Sequence, residues 1–360
     1  MFLNNHWYVA AWSTELSAQP LSRTLLGEPV ALFRLADGAP VALQDRCPHR
    51  NLPLSAGRVL DDVLQCGYHG LEFNGEGACT KVPGQSTIPD WCKVRSFPVE
   101  ERHGWTFIWM GRAEDANSAP VPEFHALLSD ENWGDARGQL TVPCGYRLML
   151  DNLLDLSHLT YVHGSTTGND DVANQANVQL SSDHATHVRQ TRIMEDISAA
   201  PAFRYYGGYE DKIDRWQITN FLAPSYIDIT NGSRRTSMEP TAPGAHDGEL
   251  GEWGFRVFHA ITPETHSSTH QFWSVPFRHD MVQEKDQALW NEQMANVLRE
   301  DHDVYVLQQQ AIDANPAAEG DVVPAGGLVG DKGLFQMRRV LESLHRREAQ
   351  LTRESDTPAT

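Results

Sequence analysis

Two thiols and two imidazoles recur in a tight pattern in the first fifth of the chain. Cys47-Pro48-His49 is followed, with sixteen residues between, by Cys66-Gly67-Tyr68-His69. Thiolate and neutral imidazole together suit soft and borderline metals. Two chemistries use such a set. A structural zinc site takes all four groups as one tetrahedral shell. A Rieske [2Fe–2S] cluster divides them, Cys47 and Cys66 on one iron, His49 and His69 on the other. The spacing favours the division. Each segment presents one Cys and one His, so two parallel loops can both reach both irons, whereas zinc-finger spacings pair Cys with Cys and His with His. Imidazoles in place of two thiolates also leave the cluster less negative, which raises its reduction potential. Gly67, Gly70 and the Pro83-Gly84 turn would let such loops close tightly. Zinc, or a chance grouping on β-loops, are the competing readings. Cys79, Cys92 and Cys144 have no partner pattern and read as small core residues.

A second set of candidate ligands lies in Asp151 to Gly164, DNLLDLSHLTYVHG. On a helix Asn152, Asp155 and His158 follow one another at steps of about 60°. A polar stripe inside a Leu-rich helix is costly if buried unpaired, and a metal would satisfy it. His163 would point about 140° away from His158 on a regular helix. A bend or π-type irregularity near Tyr161 to Gly164 is therefore expected. Two His need an anionic third ligand to make the 2-His-1-carboxylate triad, which leaves open positions on ferrous iron. The long Gly- and Pro-free segment REDHDVYVLQQQ supplies one. Asp301 shares helical spacing with Met294, Val297, Val304, Tyr305 and Gln308, an inward-looking stripe. Asp303 lies about 160° away in phase, toward solvent, so Asp301 is preferred. A capped, solvated polar face is the alternative for the His-rich segment taken alone.

The elements that must carry these residues fall into two groups. Up to about residue 110 the chain alternates short runs rich in Val, Leu and aromatics (WYVAAW, VALFRL, VLQCGY, WTFIWM) with turn residues, which predicts a small β sandwich or barrel. The polar, Ala/Pro-rich stretch Gly111 to Pro122 marks a boundary. Beyond it come the Leu-rich helix from Tyr146, several strands between about 174 and 278, a long helix over 283–311 and a closing helix over 334–350. Glu239 to Gly251 and Asn315 to Gly333 read as loops. The fold class is α+β, an N-terminal all-β domain followed by strands flanked by helices. The expected domains are 1–115 and 116–352, with a flexible tail over 353–360.

With 48 acidic against 29 basic residues, the 360-residue chain has a net charge of −19. Such a surface repels phosphate backbones and anionic membranes, so neither nucleic acid nor membrane is an expected partner. The N-terminus has no basic region of the signal-peptide kind, its first cation being Arg23. The longest stretch free of charged residues, Leu156 to Asn169, has only 14 residues. Five cysteines are far too few for a disulfide scaffold. A soluble, cytoplasmic protein is expected.

Together these residues resemble the Rieske non-haem iron oxygenases, and within them the vanillate O-demethylase oxygenase group, with dicamba O-demethylase and toluenesulfonate methyl-monooxygenase as relatives. The resemblance runs through WYVAAW, CPHR, CGYHGLEF, YRLMLDNLLDLSHLTYVHG, DRWQI, ITPET and ED followed by LQQQ. It implies an N-terminal Rieske domain and a C-terminal helix-grip catalytic domain, in a ring-shaped homotrimer. It implies that Cys47, His49, Cys66 and His69 hold the cluster, and that His158, His163 and Asp301 bind a mononuclear non-haem Fe(II). Asp155 matches the family's bridging aspartate, which would link His158 to a cluster histidine of the neighbouring subunit. Asn152 matches a residue close behind the iron ligands.

For the substrate, the resemblance implies contact from His259, just before the TPET segment, and from the strand IDITNG, where Asp228 and Thr230 are offered. An acid at Asp228 would repel an aromatic carboxylate unless paired, a departure that argues against vanillate itself. An ordinary strand histidine is the other reading of His259. The implied activity is that of a terminal oxygenase. It would take electrons that NAD(P)H delivers through a separate flavin and iron–sulfur reductase, and use O2 to O-demethylate or methyl-hydroxylate a small aromatic acid. Ring dioxygenation is the runner-up reaction. A Rieske electron-transfer protein and a zinc-stabilised binding protein are the rivals from other classes.

Overall fold

The computed structural model describes residues 2–123, 132–174, 177–236, 250–279, 284–315 and 327–355. The expected Glu239–Gly251 loop and 353–360 tail thus lie largely outside the described residues. The chain forms two compact units, Met1–Glu123 with Thr262–His266, and Phe124–Ile261 with Ser267–Thr360.

The first unit is all β, as its short apolar runs predict. Its strands are β1 (Trp7–Trp12), β2 (Leu21–Leu25), β3 (Glu28–Arg34), β4 (Pro40–Gln44), β5 (Arg58–Leu60), β6 (Val63–Gln65), β7 (Glu72–Phe73), β8 (Cys79–Lys81), β9 (Ser96–Phe97), β10 (Val99–Arg102) and β11 (Trp105–Trp109). They form three antiparallel sheets ordered β1-β11-β10, β2-β3-β4-β9 and β5-β6-β7-β8. Ala31, Phe33, Leu43, Leu64 and Phe73 pack into one core with Cys47, Cys66 and Cys92. Buried Asp45 fastens the approach to Cys47, accepting from Ser22 Oγ (2.8 Å), Ser55 N (2.7 Å) and Ser55 Oγ (2.6 Å).

The second unit is a seven-stranded antiparallel sheet with helices. Its elements are β12 (Trp133–Val142), α1 (Tyr146–Leu154), α2 (Leu159–Val162), α3 (Asp170–Asn174), β13 (Asn177–Ser182), β14 (His187–Ser198), α4 (Pro201–Gly207), β15 (Lys212–Leu222), β16 (Tyr226–Arg235), β17 (Trp253–Thr265), β18 (Ser268–Arg278), α5 (Glu284–Ala314) and α6 (Lys332–Ser355). The strand order is β12-β18-β17-β16-β15-β14-β13. Helix α1 packs against α5, α6 and β15. Its Leu148, Leu150, Leu153 and Leu154 are buried, the apolar face that the Leu spacing predicts. Helix α6 reaches Ser355, so residues 353–355 continue the closing helix and do not begin a tail.

One expectation is corrected. The expected irregularity near Tyr161 to Gly164 is present, α2 ending at Val162 and His163 leaving the helix at φ −112° and ψ 28°, but the Leu-rich segment does not run unbroken up to it. It breaks earlier, at Asp155, whose φ of −119° and ψ of 91° are extended. Asp155 then caps a 3₁₀ turn, Leu156–His158, its side chain accepting from Ser157 N (3.0 Å). An Asx-type bond of this kind competes with the helical ladder. The one-turn helix α2 follows, with His158 immediately before it and His163 immediately after.

Candidate metal centres and substrate pocket

The first centre is built by two loops with the same backbone wiring. Cys47 N donates to Leu52 O (2.9 Å) and Asn51 N to Cys47 O (2.9 Å). In the second loop Cys66 N donates to Leu71 O (2.8 Å) and Gly70 N to Cys66 O (3.1 Å). Each loop turns through a left-handed residue at the same place, Asn51 at φ 60° and Gly70 at φ 70°. The thiols of Cys47 and Cys66 are buried, while His49 and His69 are exposed, their ring centroids 4.6 Å apart. Burial, with Cys66 as neighbour, holds the Cys47 thiol above its ordinary range.

This geometry separates the two metal readings. In a tetrahedral zinc site all four donors converge on one ion. Among the described residues, three or more His, Cys, Asp or Glu ligand atoms come within 4.8 Å of one another only at His158, His163 and Asp301. The four residues of the loops instead form a thiol pair inside and an imidazole pair outside, which suits the divided ligation of a [2Fe–2S] cluster.

The second centre joins the two flanks of α2 to the inward face of α5. Asp301 is 4% exposed. Its Oδ1 lies 3.2 Å from His163 Nε2 and 3.6 Å from His158 Nε2. Asp303, the rejected alternative, has a side chain 87% exposed. Both imidazoles are anchored from behind. His158 Nδ1 donates to the backbone carbonyl of Asp155 (2.7 Å), and His163 Nδ1 to Glu300 Oε2 (2.7 Å). With the protons on Nδ1, both Nε2 lone pairs face the Asp301 carboxylate. Three electron-rich atoms converging in a buried place repel one another unless a cation sits among them. The residues therefore fit a metal ion. Burial holds His158 below the ordinary imidazole range. Burial also works against protonation of His163, but the carboxylates of Asp301 and Glu300 outweigh it and raise that residue.

Asn152 stands behind the triad, donating from Nδ2 to Asp301 Oδ1 (3.4 Å) and accepting from the hydroxyl of fully buried Tyr305 (3.1 Å). Asp155 meets His158 through its backbone carbonyl; its carboxylate holds Ser157 N instead. A Cβ at Gly330 would fall on that carboxylate, so the glycine lets the chain pass beside it. Glu300 is a residue the sequence reading passed over. It is adjacent to Asp301, yet its role depends on where His163 comes to rest, which one-dimensional spacing does not give.

The triad opens into a pocket. Leu153, Leu156, Ile229, Phe255, Val257 and Met294 supply apolar walls, with Thr167, Gln217, Asn231 and His259 as polar points. Mostly apolar walls with few polar groups are typical of a small-molecule site. His259 is buried, and burial lowers it to about 4, so it is neutral near pH 7. Gln271 Nε2 donates to its Nδ1 (3.3 Å).

The other two expected substrate residues are not in this pocket. Side chains alternate faces along a strand. On β16 the pocket face carries Ile229 and Asn231, so Asp228 and Thr230 point away. The strand was located and its parity was one residue out. Thr230 Oγ1 accepts from Arg256 Nε (3.0 Å) on that far face. Burial raises Asp228 to about 6, with Arg256, Asn220 and Arg189 partly opposing the shift.

The chain's likenesses to known proteins cover both units. Residues 6–98 match the Rieske [2Fe–2S] domain, and residues 142–347 match the vanillate O-demethylase oxygenase C-terminal domain. The iron–sulfur subunit of a toluene-4-sulfonate monooxygenase system from Comamonas testosteroni is 34% identical over 97% of this chain and 98% of that protein. A vanillate O-demethylase oxygenase subunit from a Pseudomonas species is 34% identical over 96% of this chain and 95% of its own. The crystal structure of dicamba monooxygenase bound to dicamba superposes with a TM-score of 0.84 at 30% identity, covering 97% and 99% of the two chains. A cluster-type pair of loops, a buried 2-His-1-carboxylate triad and matches of this extent lead to one conclusion: the chain belongs to the Rieske non-haem iron oxygenases, in the family of the vanillate O-demethylase oxygenase component.

Proposed function

We propose that this protein is the terminal oxygenase of a multi-component monooxygenase, O-demethylating or methyl-hydroxylating a small aromatic acid. The observation that carries the reading is the triad of His158, His163 and Asp301 facing an apolar pocket. A pure electron carrier has no use for either feature. The relatives act on toluene-4-sulfonate, vanillate and dicamba, three small aromatic acids, which supports the substrate class.

When bound, the cluster and the mononuclear iron supply single electrons and oxygen activation. For a methoxyarene the balance is ArOCH3 + O2 + 2 e⁻ + 2 H⁺ → ArOH + CH2O + H2O. The chain's own residues do the rest. Glu300 and the Asp155 carbonyl hold the two imidazoles in the tautomer that ligates through Nε2. Asn152, steadied by Tyr305, orients the Asp301 carboxylate. Leu153, Ile229, Phe255 and Met294 keep the ring in a water-poor space. His259, neutral, presents a hydrogen-bonding nitrogen to the substrate's polar end. The proposal includes a separate flavin and iron–sulfur reductase that draws on NAD(P)H, a cytoplasmic location and a homotrimer in which Asp155 bridges to the neighbouring cluster.

The test is turnover with such a reductase on a panel of methoxy- and methylbenzoates, assaying formaldehyde and hydroxymethyl products by chromatography. One oxidised product per O2 consumed is expected for at least one substrate, and none after His158→Ala. A ring diol as sole product, or turnover that survives His158→Ala, would sink the reading.

A further inference from the structure

Behind the polar wall of the pocket lie two buried guanidiniums. Arg192 on β14 is 4% exposed and Arg215 on β15 is fully buried. Neither is ion-paired with a carboxylate among the described residues. Arg215 feels chiefly its own burial and the like charge of Arg192, and is lowered to about 9, which still leaves it charged near neutrality. Arg192 is lowered by burial, with Asp155 the one acid that opposes the shift. Buried charges without a counter-ion are costly, and they persist where something else depends on them.

The hydrogen bonds show what depends on them. Arg192, Gln217 and Asn231 sit directly opposite one another on β14, β15 and β16. Arg192 Nη1 donates to Gln217 Oε1 (2.7 Å), and Gln217 Nε2 donates to Asn231 Oδ1 (3.1 Å). Arg215 Nη2 donates to the same oxygen (3.3 Å), and its Nη1 donates to the carbonyl of Thr167 (2.6 Å). Arg192 also holds the carbonyls of Leu156 (2.7 Å) and Val172 (3.0 Å), but the three side-chain to side-chain bonds of the row run toward Asn231, and its oxygen is taken twice. The Asn231 amide is thereby fixed with its NH2 group as the end of the row, in a pocket that Gln217, Asn231 and Thr167 all line. Hydrogen-bonded rows of this kind polarise one another. The pocket thus has a donor pole backed by two positive charges, although no Lys or Arg among the described residues lines it.

We infer that Arg192, Arg215 and Gln217 set the charge of the ligand: they lock Asn231 as a donor and select an aromatic oxyanion, carboxylate or sulfonate, over its neutral isostere. The three are positioning residues, acting through Asn231. The inference rests on the oxygenase reading for the location of the pocket but not for its own test, which needs no turnover.

The test is calorimetric binding to the purified, iron-loaded protein without reductase. The probes are matched pairs, 4-methoxybenzoate with 4-methoxybenzamide and 4-toluenesulfonate with 4-toluenesulfonamide. The wild type is expected to favour the anion of a pair by at least about tenfold. Arg215→Gln should remove most of that preference while shifting the amide's Kd by no more than about threefold, a split that a merely structural role would not produce. Asn231→Asp is nearly isosteric and still accepts from Gln217 and Arg215. It supplies the missing carboxylate and abolishes the donor, so the preference should invert. This variant carries the test even where Arg215→Gln does not fold, as judged by loss of mononuclear Fe(II) binding. Equal affinity for both members of a pair in the wild type, or an anion preference that survives Asn231→Asp, would overturn the inference. Oxidation of neutral arenes without anion preference would overturn it and leave the oxygenase reading standing. Anion selectivity in a protein that oxidises no methyl group would do the reverse.

Discussion

The two candidate metal centres solve the same problem, holding four or three candidate ligands in register, by opposite means. The cluster loops do it with backbone. Each is a closed turn of six residues whose ends are tied to each other, Cys47 with Leu52 and Cys66 with Leu71. The imidazoles of His49 and His69 stand exposed, with no side-chain hydrogen-bond partner among the described residues. The iron triad does it with side chains from distant segments. His158 and His163 flank α2, Asp301 comes from the middle of α5, and each ligand is gripped from behind by another group. A local centre is encoded where it stands, whereas an assembled centre is encoded in whatever brings its parts together.

The largest expected effect follows from the separateness of the two devices. Cys66→Ala removes one of two thiols from its loop and touches nothing in the triad. It should abolish the visible absorbance of the cluster while the protein still binds one Fe(II). Asp301→Ala should leave the absorbance and the acid-labile sulfide intact while mononuclear iron is lost. Iron and sulfide quantification on both variants checks the pair. Loss of both centres' signals in either single variant would break the comparison.

The same contrast explains what could be read from the sequence. The pairing of Cys47 and His49 with Cys66 and His69 on two matched loops was legible because those loops are short, and a spacing is a distance there. Asp301 was legible for another reason: helical phase put it beside Met294 and Tyr305, both buried, and put Asp303 in solvent. Three things were not legible. The break at Asp155 is made by a local Asx bond that a Leu-rich helical spacing outvotes. The parity of β16 shows in its pairing with β17, Ile227 opposite His259, and either face of IDITNG offers polar residues. The Arg192–Gln217–Asn231 row crosses three strands, so no window of sequence contains it.

A smaller effect tests the gripping of the triad. Glu300 accepts the Nδ1 proton of His163 and so fixes which nitrogen ligates. Removing such an outer partner costs about 10–100-fold in metal affinity. Glu300→Ala is expected to weaken Fe(II) binding within that range, with the cluster spectrum unchanged. Competition with a chelator of known affinity measures it. Wild-type affinity in Glu300→Ala would mean that the imidazole is oriented by packing alone, and that the triad is closer to the cluster loops in kind than the contrast allows.

The smallest effect tests the backbone side of the comparison. Asn51 and Gly70 occupy equivalent left-handed positions, yet one is an asparagine and the other a glycine. A residue with a Cβ in that conformation costs about 1–2 kcal/mol, less for Asn. At Gly70 the added Cβ would also meet Pro83 Cγ at 3.3 Å. Gly70→Ala should therefore destabilise the first unit by about 1–2 kcal/mol, seen as a lower thermal midpoint of the cluster absorbance. Asn51→Gly loses only the surface bond from Arg46 Nε (2.8 Å), so its midpoint should move little. Asn51→Ala should resemble Gly70→Ala, because both force alanine into the same turn. The triad's iron affinity should stay put in all three. Equal midpoints for Asn51→Ala and Asn51→Gly would show that side-chain contacts hold this loop, and the two centres would then differ in sequence spacing but not in how they are built.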